Sequence, residues 1–175
     1  MAKQPVKQGP RVLIVVGSDS DLPVIEEATA VLADFDIPHE VHVSSAHRAP
    51  AKTRALASRV EKEGIEVVIA GAGHAAHLAG VLAAELTVPV IGVPLDSGML
   101  QGLDALLSTA MMPPGVPVAT MAVGKGGARN AGILAVQILA LADHGLRKRI
   151  SEYKAAMADA VERKDSALQK ARSKR

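Results

Sequence analysis

Cysteine is missing from all 175 residues, which excludes disulfides and thiolate chemistry and fits a reducing compartment. Tryptophan is missing too, and Phe35 and Tyr153 are the only aromatics, although 49% of the chain is hydrophobic. A core must therefore be built from Ala, Val, Ile and Leu, side chains small enough for helices to pack closely on a sheet. No apolar run approaches the ~18 residues of a membrane span, and the first residues lack the apolar stretch of a signal peptide. The expectation is a cytoplasmic protein with no membrane partner. Charge of one sign is scarce as well, the formal net charge being +2. The basic excess gathers at the end, at Lys164, Lys170, Arg172, Lys174 and Arg175, and reads as a solvated helix end rather than a nucleic-acid surface.

What is present alternates. Residues 1–10 are polar and read as a flexible lead-in to one α/β domain over 11–144. Arg11–Val16, "RVLIVV", is a short apolar run stopped by Gly17, the mark of a buried strand. Ser20 or Asp21 can cap the helix that follows, with Pro23 tolerated in its first turn. The pattern then predicts strands at His39–Val43, Glu66–Ala70, Val88–Val93 and Pro117–Val123. Helices are predicted over Pro50–Glu63, Ala75–Leu86, Leu103–Met111 and Ala128–Ala142. Alternating helices and apolar strands imply a parallel sheet covered on both faces: a three-layer αβα, doubly wound sheet of flavodoxin-like type. The helix at Ala128–Ala142 has too little polar face for a monomer surface, so it is either central or at a subunit interface. The segment 145–175 reads as a separate amphipathic helix, Gly145–Arg172, with a basic tail. Together these point to an oligomer in which that helix packs on a neighbouring subunit.

In open parallel sheets the ligand site lies beyond the carboxyl ends of the strands, where the strand-to-helix turns gather. Four such turns are rich in polar chemistry: Gly17-Ser18-Asp19-Ser20-Asp21, Ser44-Ser45-Ala46-His47-Arg48-Ala49-Pro50, Gly71-Ala72-Gly73-His74-Ala75-Ala76-His77 and Pro94-Leu95-Asp96-Ser97-Gly98. The first offers the Ser18 and Ser20 hydroxyls and backbone N–H groups at a helix start, an anion site, and Asp21 can accept from ribose hydroxyls. Arg48 supplies a permanent charge with forked donors suited to phosphate. The third turn's glycines let the backbone approach a ligand closely. A phosphorylated sugar derivative satisfies all three. His47 is the candidate acid and base, since imidazole titrates nearest neutrality. His47, His74 and His77 together suggest zinc, but no acidic ligand is spaced to complete a site, so no metal is expected.

"GSDSD" after the first strand, "SAHR" with Pro50 after the second, and "AGAG" followed by "AAHL" after the third resemble the class I 5-(carboxyamino)imidazole ribonucleotide mutases of purine biosynthesis. These are also called the catalytic subunit of phosphoribosylaminoimidazole carboxylase. The likeness continues through Val90–Pro94, Gly115–Val118 and "GKGGARNAGILAVQIL". It implies transfer of a carboxylate from the exocyclic nitrogen of an aminoimidazole ribonucleotide to ring carbon C4, with neither cofactor nor metal. It further implies His47 as general acid and base, and Ser18, Asp21 and Arg48 as nucleotide-binding positions. By the same resemblance Ser45, Ala46, Gly71, Ala72, Gly73, His77 and Leu78 line the base and carboxylate, and the assembly is a homo-octamer. Animal-type relatives, which carboxylate directly with CO2, carry Lys after the motif histidine and Gly-Arg-Ser-Asn in the third turn. Arg48 and "GAGHAAH" place this chain on the mutase side.

The chain departs from the family's pattern at His74 and Ala79, where glycine and proline are usual. Because a helix is predicted to begin at Ala75, and the positive potential of a helix N-terminus disfavours protonated histidine, the His74 ring is expected to point away from the pocket. Two rival readings stand beside the mutase, apart from the direct carboxylase. One is a dinucleotide binder, since Gly71–Ala76 fits G-x-G-x-x-A and Asp96 ends the next strand. The other is a non-catalytic nucleotide-binding paralogue that kept the pocket and lost the chemistry.

Overall fold

The computed structural model describes residues 9–173, so nearly all of the lead-in, and Lys174 and Arg175, fall outside the described residues. Five parallel strands form the sheet: β1 (Val12–Val16), β2 (His39–Val43), β3 (Val67–Gly73), β4 (Val90–Leu95) and β5 (Ala119–Thr120), in the order β2-β1-β3-β4-β5. Between and after them run α1 (Leu22–Asp34), α2 (Pro50–Glu63), α3 (Leu78–Glu85), α4 (Leu103–Ala110), α5 (Lys125–Leu139) and α6 (His144–Arg172). The order is that of the flavodoxin-like fold, as expected from the alternation. All five β1 residues are buried, because the sheet is covered on both sides. Val12, Ile14 and Val16 pack under α1 and α5, while Leu13 and Val15 pack under α2 and α3. Val12 pairs with both His39 and Val67, and a slip of one residue would exchange these two cores.

α5 is the central helix rather than a bare surface. Ala128, Ala131, Gly132, Ala135, Val136 and Leu139 are buried against the sheet and α1. Gly132 permits that approach: a Cβ there would lie 2.9 Å from the Ala28 carbonyl oxygen and 2.9 Å from the Val31 Cβ. α6 starts at a real cap, Asp143, whose carboxylate accepts from the Gly145 and Leu146 N–H groups at 2.9 and 3.1 Å. Its first turns join the core through Leu146 and Ile150, with Tyr153 edge-on to Phe35 at 5.8 Å between ring centroids. Arg149 donates to the Asp34 and Phe35 carbonyls at the end of α1. Beyond Tyr153 the helix is almost wholly exposed, including Met157, Val161 and Leu168. No helix among the described residues is long and apolar enough to cross a membrane.

Element boundaries differ from the sequence reading where tertiary pairing decides them. β3 continues to Gly73 because Ala72 and Gly73 still pair with Pro94 and Leu95 of β4. α3 consequently starts at Leu78 rather than Ala75, and His77, not His74, stands at its N-cap. β5 shrinks to two residues at the sheet edge, where Pro117 has no N–H to extend the ladder.

Candidate active site

The turns after β1, β2, β3 and β4 surround a cavity of about 410 Å3 at the carboxyl end of the sheet. That volume suits a small ligand. The first wall is the short 3-10 turn Asp19–Asp21. Asp21, one of the two residues expected to cap the following helix, stands at the N-cap of α1, though without a side-chain cap bond to it, and the turn has its own cap in Ser18: the Ser18 side chain accepts from the Ser20 N–H, and Asp21 Oδ2 accepts from the Ser18 N–H at 3.0 Å. This reciprocal pair is a capping box, which explains why two hydroxyls and a carboxylate crowd together here. The Ser20 hydroxyl donates to Ser18 Oγ at 2.9 Å. Burial is the main reason that the Asp21 carboxyl is pushed above its ordinary value, while the Ser18 N–H and the Ser20 hydroxyl pull in the opposite direction.

The second wall is the turn carrying His47 and Arg48. It is braced from beneath by the hydroxyls of Ser44 and Thr53, both buried and 2.9 Å apart. Thr53 Oγ1 also donates to the Ala49 carbonyl, so the shared hydrogen must come from Ser44. Above this brace the Ser45 carbonyl accepts from the Ala49 N–H at 2.8 Å, and Ser45 Oγ accepts from the Arg48 N–H at 3.2 Å. None of these bonds uses the His47 ring. Arg48 reaches back across the cavity towards the Gly17 carbonyl, with Nη2 at 3.5 Å.

The third wall brings His77 to His47. His47 Nε2 and His77 Nδ1 are 2.8 Å apart, with the rings nearly perpendicular at 79°. Two imidazole nitrogens this close share one hydrogen, so one donates and the other accepts. The pair therefore fixes a tautomer relation, and a neutral His77 is a ready acceptor for a protonated His47. Gly73 is needed because the Ser97 side chain occupies the space a Cβ would take. Ser97 Oγ accepts from the His74 N–H at 2.9 Å, tying the β4 turn to the β3 turn.

Of the candidate residues, Ser18, Ser20, Asp21, Ser45, Ala46, His47, Arg48, Ala72, Gly73, His77 and Leu78 all line the cavity. Gly71 does not: it is buried one layer below, where its carbonyl accepts from the Gly17 N–H at 3.0 Å. Ile25 fills the space beside it, so a Cβ would collide at 2.9 Å. Gly17, His74, Ala75, Ala76 and Ser97 also line the cavity. Ser97 was legible only as a hydroxyl in the fourth turn, with nothing in the sequence to single it out. His74 is among the lining residues, and the helix start on which the expectation for its ring rested lies at Leu78, three residues beyond Ala75.

The dinucleotide fingerprint does not survive this geometry. Gly71 and Gly73 are strand residues, and the helix begins only at Leu78, beyond the motif. Among the described residues no group of three or more His, Asp or Glu is placed to hold a metal ion.

Residues 11–160 match the family model described as AIR carboxylase. The chain is 52% identical to the N5-carboxyaminoimidazole ribonucleotide mutase of Mycobacterium tuberculosis over 166 residues, covering 95% of this chain and 94% of that protein. It is 48% identical to the Escherichia coli protein of the same name over 151 residues, covering 86% and 89% of the two chains. Among solved structures, Treponema denticola PurE superposes with a TM-score of 0.79 at 26% identity, over 91% of this chain and 98% of that one.

Proposed function

The chain belongs to the AIR carboxylase family and is an N5-carboxyaminoimidazole ribonucleotide mutase of purine biosynthesis, and on that premise we propose that His47 carries both of its proton transfers. The observation that supports this most directly is the bond between His47 Nε2 and His77 Nδ1, both residues lining the cavity. In the first step the N–CO2 bond of the carbamate breaks, its electron pair stays on nitrogen, and protonated His47 supplies the proton. CO2 is then free in the cavity. In the second step C4 attacks CO2, a C–C bond forms, and neutral His47 removes the C4 proton. One proton leaves His47 and one returns, so the cycle needs no other acid or base. Holding CO2 beside C4 makes the second step effectively intramolecular.

His77 supports this cycle by accepting the His47 Nε2–H throughout, which leaves His47 Nδ1 to give and take the proton. Ser18, Ser20, Asp21 and Arg48 take the ribose phosphate end: Arg48 by charge, the serines and turn N–H groups by hydrogen bonds, and Asp21 at the sugar hydroxyls. Ser45, Ala46, Ala72, Gly73 and Leu78 close around the base, where small side chains leave it room. Gly71 acts from below by holding Gly17.

The same reading includes a closed homo-octamer. Supporting it is an exposed apolar stripe that starts in the β4 turn and follows α4: Met99 (99% exposed), Leu100, Leu103, Leu107 and Met111 (77%). The exposed apolar residues of α6 extend that surface requirement, and we assign α6 to contact with a neighbouring subunit. Light scattering at micromolar concentration tests the assembly, and a stable monomer overturns it. The catalytic reading is tested by turnover of synthetic N5-carboxyaminoimidazole ribonucleotide followed by ultraviolet absorbance. Binding of the ribonucleotide without turnover would favour a non-catalytic pocket instead.

A further inference from the structure

Polar side chains are scarce in the interior. Among the described residues only Ser44, Thr53 and Thr109 are buried polar ones. Thr109 donates its hydroxyl to the Ala105 carbonyl of its own helix. Ser44 and Thr53, at 2% and 1% exposed, instead bond to each other across nine residues, beneath the turn that carries His47. Ser44 is held to the sheet, its N–H donating to the Val16 carbonyl at 2.8 Å. Thr53 belongs to the first turn of α2, where its N–H and its hydroxyl both donate to the Ala49 carbonyl. Ala49, at the N-cap of α2, has no side chain to cap the helix. The hydrogen bonds therefore run from Ser44 through Thr53 to Ala49 and tie the end of β2 to the start of α2. A pair of buried hydroxyls adds little net stability over two apolar side chains of the same shape. What it adds is a fixed length and direction.

We propose that Ser44 and Thr53 are positioning residues for His47, their bond holding the turn so that the imidazole meets the reacting atoms. The proposal rests on the mutase reading above. The ring has two supports: His77 at Nε2, and the backbone of the turn at Cβ. With Nε2 committed to His77, the place of Nδ1 is set by that backbone. Proton transfer needs a contact within hydrogen-bond reach, and a misplacement of about 1 Å costs up to ~100-fold. Arg48 stands on the same turn, but its long side chain absorbs a small shift and its attraction for phosphate falls slowly with distance. Loosening the turn should therefore appear in kcat far more than in KM.

The experiment is steady-state kinetics and thermal melting of the full chain, with N5-carboxyaminoimidazole ribonucleotide as substrate. It compares Thr53→Val, Thr53→Ser and the double variant Ser44→Ala/Thr53→Val. Valine keeps the shape of threonine but leaves the Ser44 hydroxyl buried without its acceptor, so Thr53→Val should melt several degrees lower. The double variant has no orphaned hydroxyl and should recover most of that melting temperature. Its kcat should nevertheless stay low, roughly fivefold to thirtyfold below wild type, with KM within about twofold. Thr53→Ser keeps the hydroxyl and should recover most of the kcat lost in Thr53→Val. A loss as large in Thr53→Ser as in Thr53→Val overturns the proposal, because the missing methyl would then be the cause. A rise in KM that matches the fall in kcat overturns it too, since the whole pocket would have loosened. Failure of the wild-type protein to turn over the ribonucleotide would refute the mutase reading, and this inference with it. Wild-type turnover with kcat unmoved in the double variant would refute this inference alone, leaving the pair a role in stability only.

Discussion

Replacing His47 by asparagine removes the titrating group while sparing the turn that holds it. The turn is closed by the Ala49 N–H to Ser45 carbonyl bond at 2.8 Å, the Arg48 N–H to Ser45 Oγ bond at 3.2 Å and the buried Ser44–Thr53 pair. The His47 ring contributes one exposed hydrogen bond, to His77, and the asparagine amide is able to retain a weaker version of it. Exposed substitutions of this kind change stability by less than about 0.5 kcal/mol, so the melting temperature should move by under ~2 °C. Arg48 and the β1 turn are untouched, and KM should stay within a few-fold. Turnover should collapse. A positioned general acid or base supplies ~100- to 10,000-fold, about 3–5 kcal/mol of barrier, and His47 is asked to act in both halves of the reaction. The loss therefore belongs at the upper end of that range. Ultraviolet absorbance with saturating substrate reads kcat directly, and circular dichroism confirms the fold. A kcat within tenfold of wild type, in a protein of unchanged fold, would remove His47 from the proton transfers.

Arg48→Ala should raise KM more than it lowers kcat, because charge on the phosphate end is uniform binding, and a loss confined to kcat would place Arg48 at the reacting carboxylate instead. Burial raises the Asp21 carboxyl, so the folded state holds that proton more tightly than the unfolded chain does. Its contribution to stability is present in acid, below the ordinary carboxylate value, and is lost as pH rises through the higher folded value. Asp21→Asn keeps an acceptor for the Ser18 N–H and should therefore melt higher than wild type at pH 7, with the gain fading towards pH 3. A gain that grows in acid contradicts this. Gly132→Ala sets helix propensity, which favours alanine by about 1 kcal/mol, against a collision with backbone and Val31 in α1. Overpacking costs ~1–3 kcal/mol, so the variant should lose several degrees in a thermal melt, and an unchanged or raised melting temperature would show that α1 and α5 can part freely.

Strand-helix alternation, the flavodoxin-like layers and the four polar turns were legible in the sequence because each depends on local pattern: apolar runs of strand length, helical spacing, and punctuation by Gly, Pro and Ser. β2 and α2 fall at the very residues predicted, His39–Val43 and Pro50–Glu63, since both are bounded by local signals. Most cavity residues were legible for a related reason, that a parallel sheet gathers its strand ends on one edge. Tertiary structure decided the rest. Whether Gly71–Gly73 forms loop or strand depends on pairing with β4, a partner over twenty residues away, and that pairing moved the start of α3 to Leu78. Sequence spacing placed His47 and His77 thirty residues apart, and only the folded sheet brings their nitrogens to 2.8 Å. Gly71, chosen as a lining residue, proved to be a support, because one step along a strand exchanges surface for core.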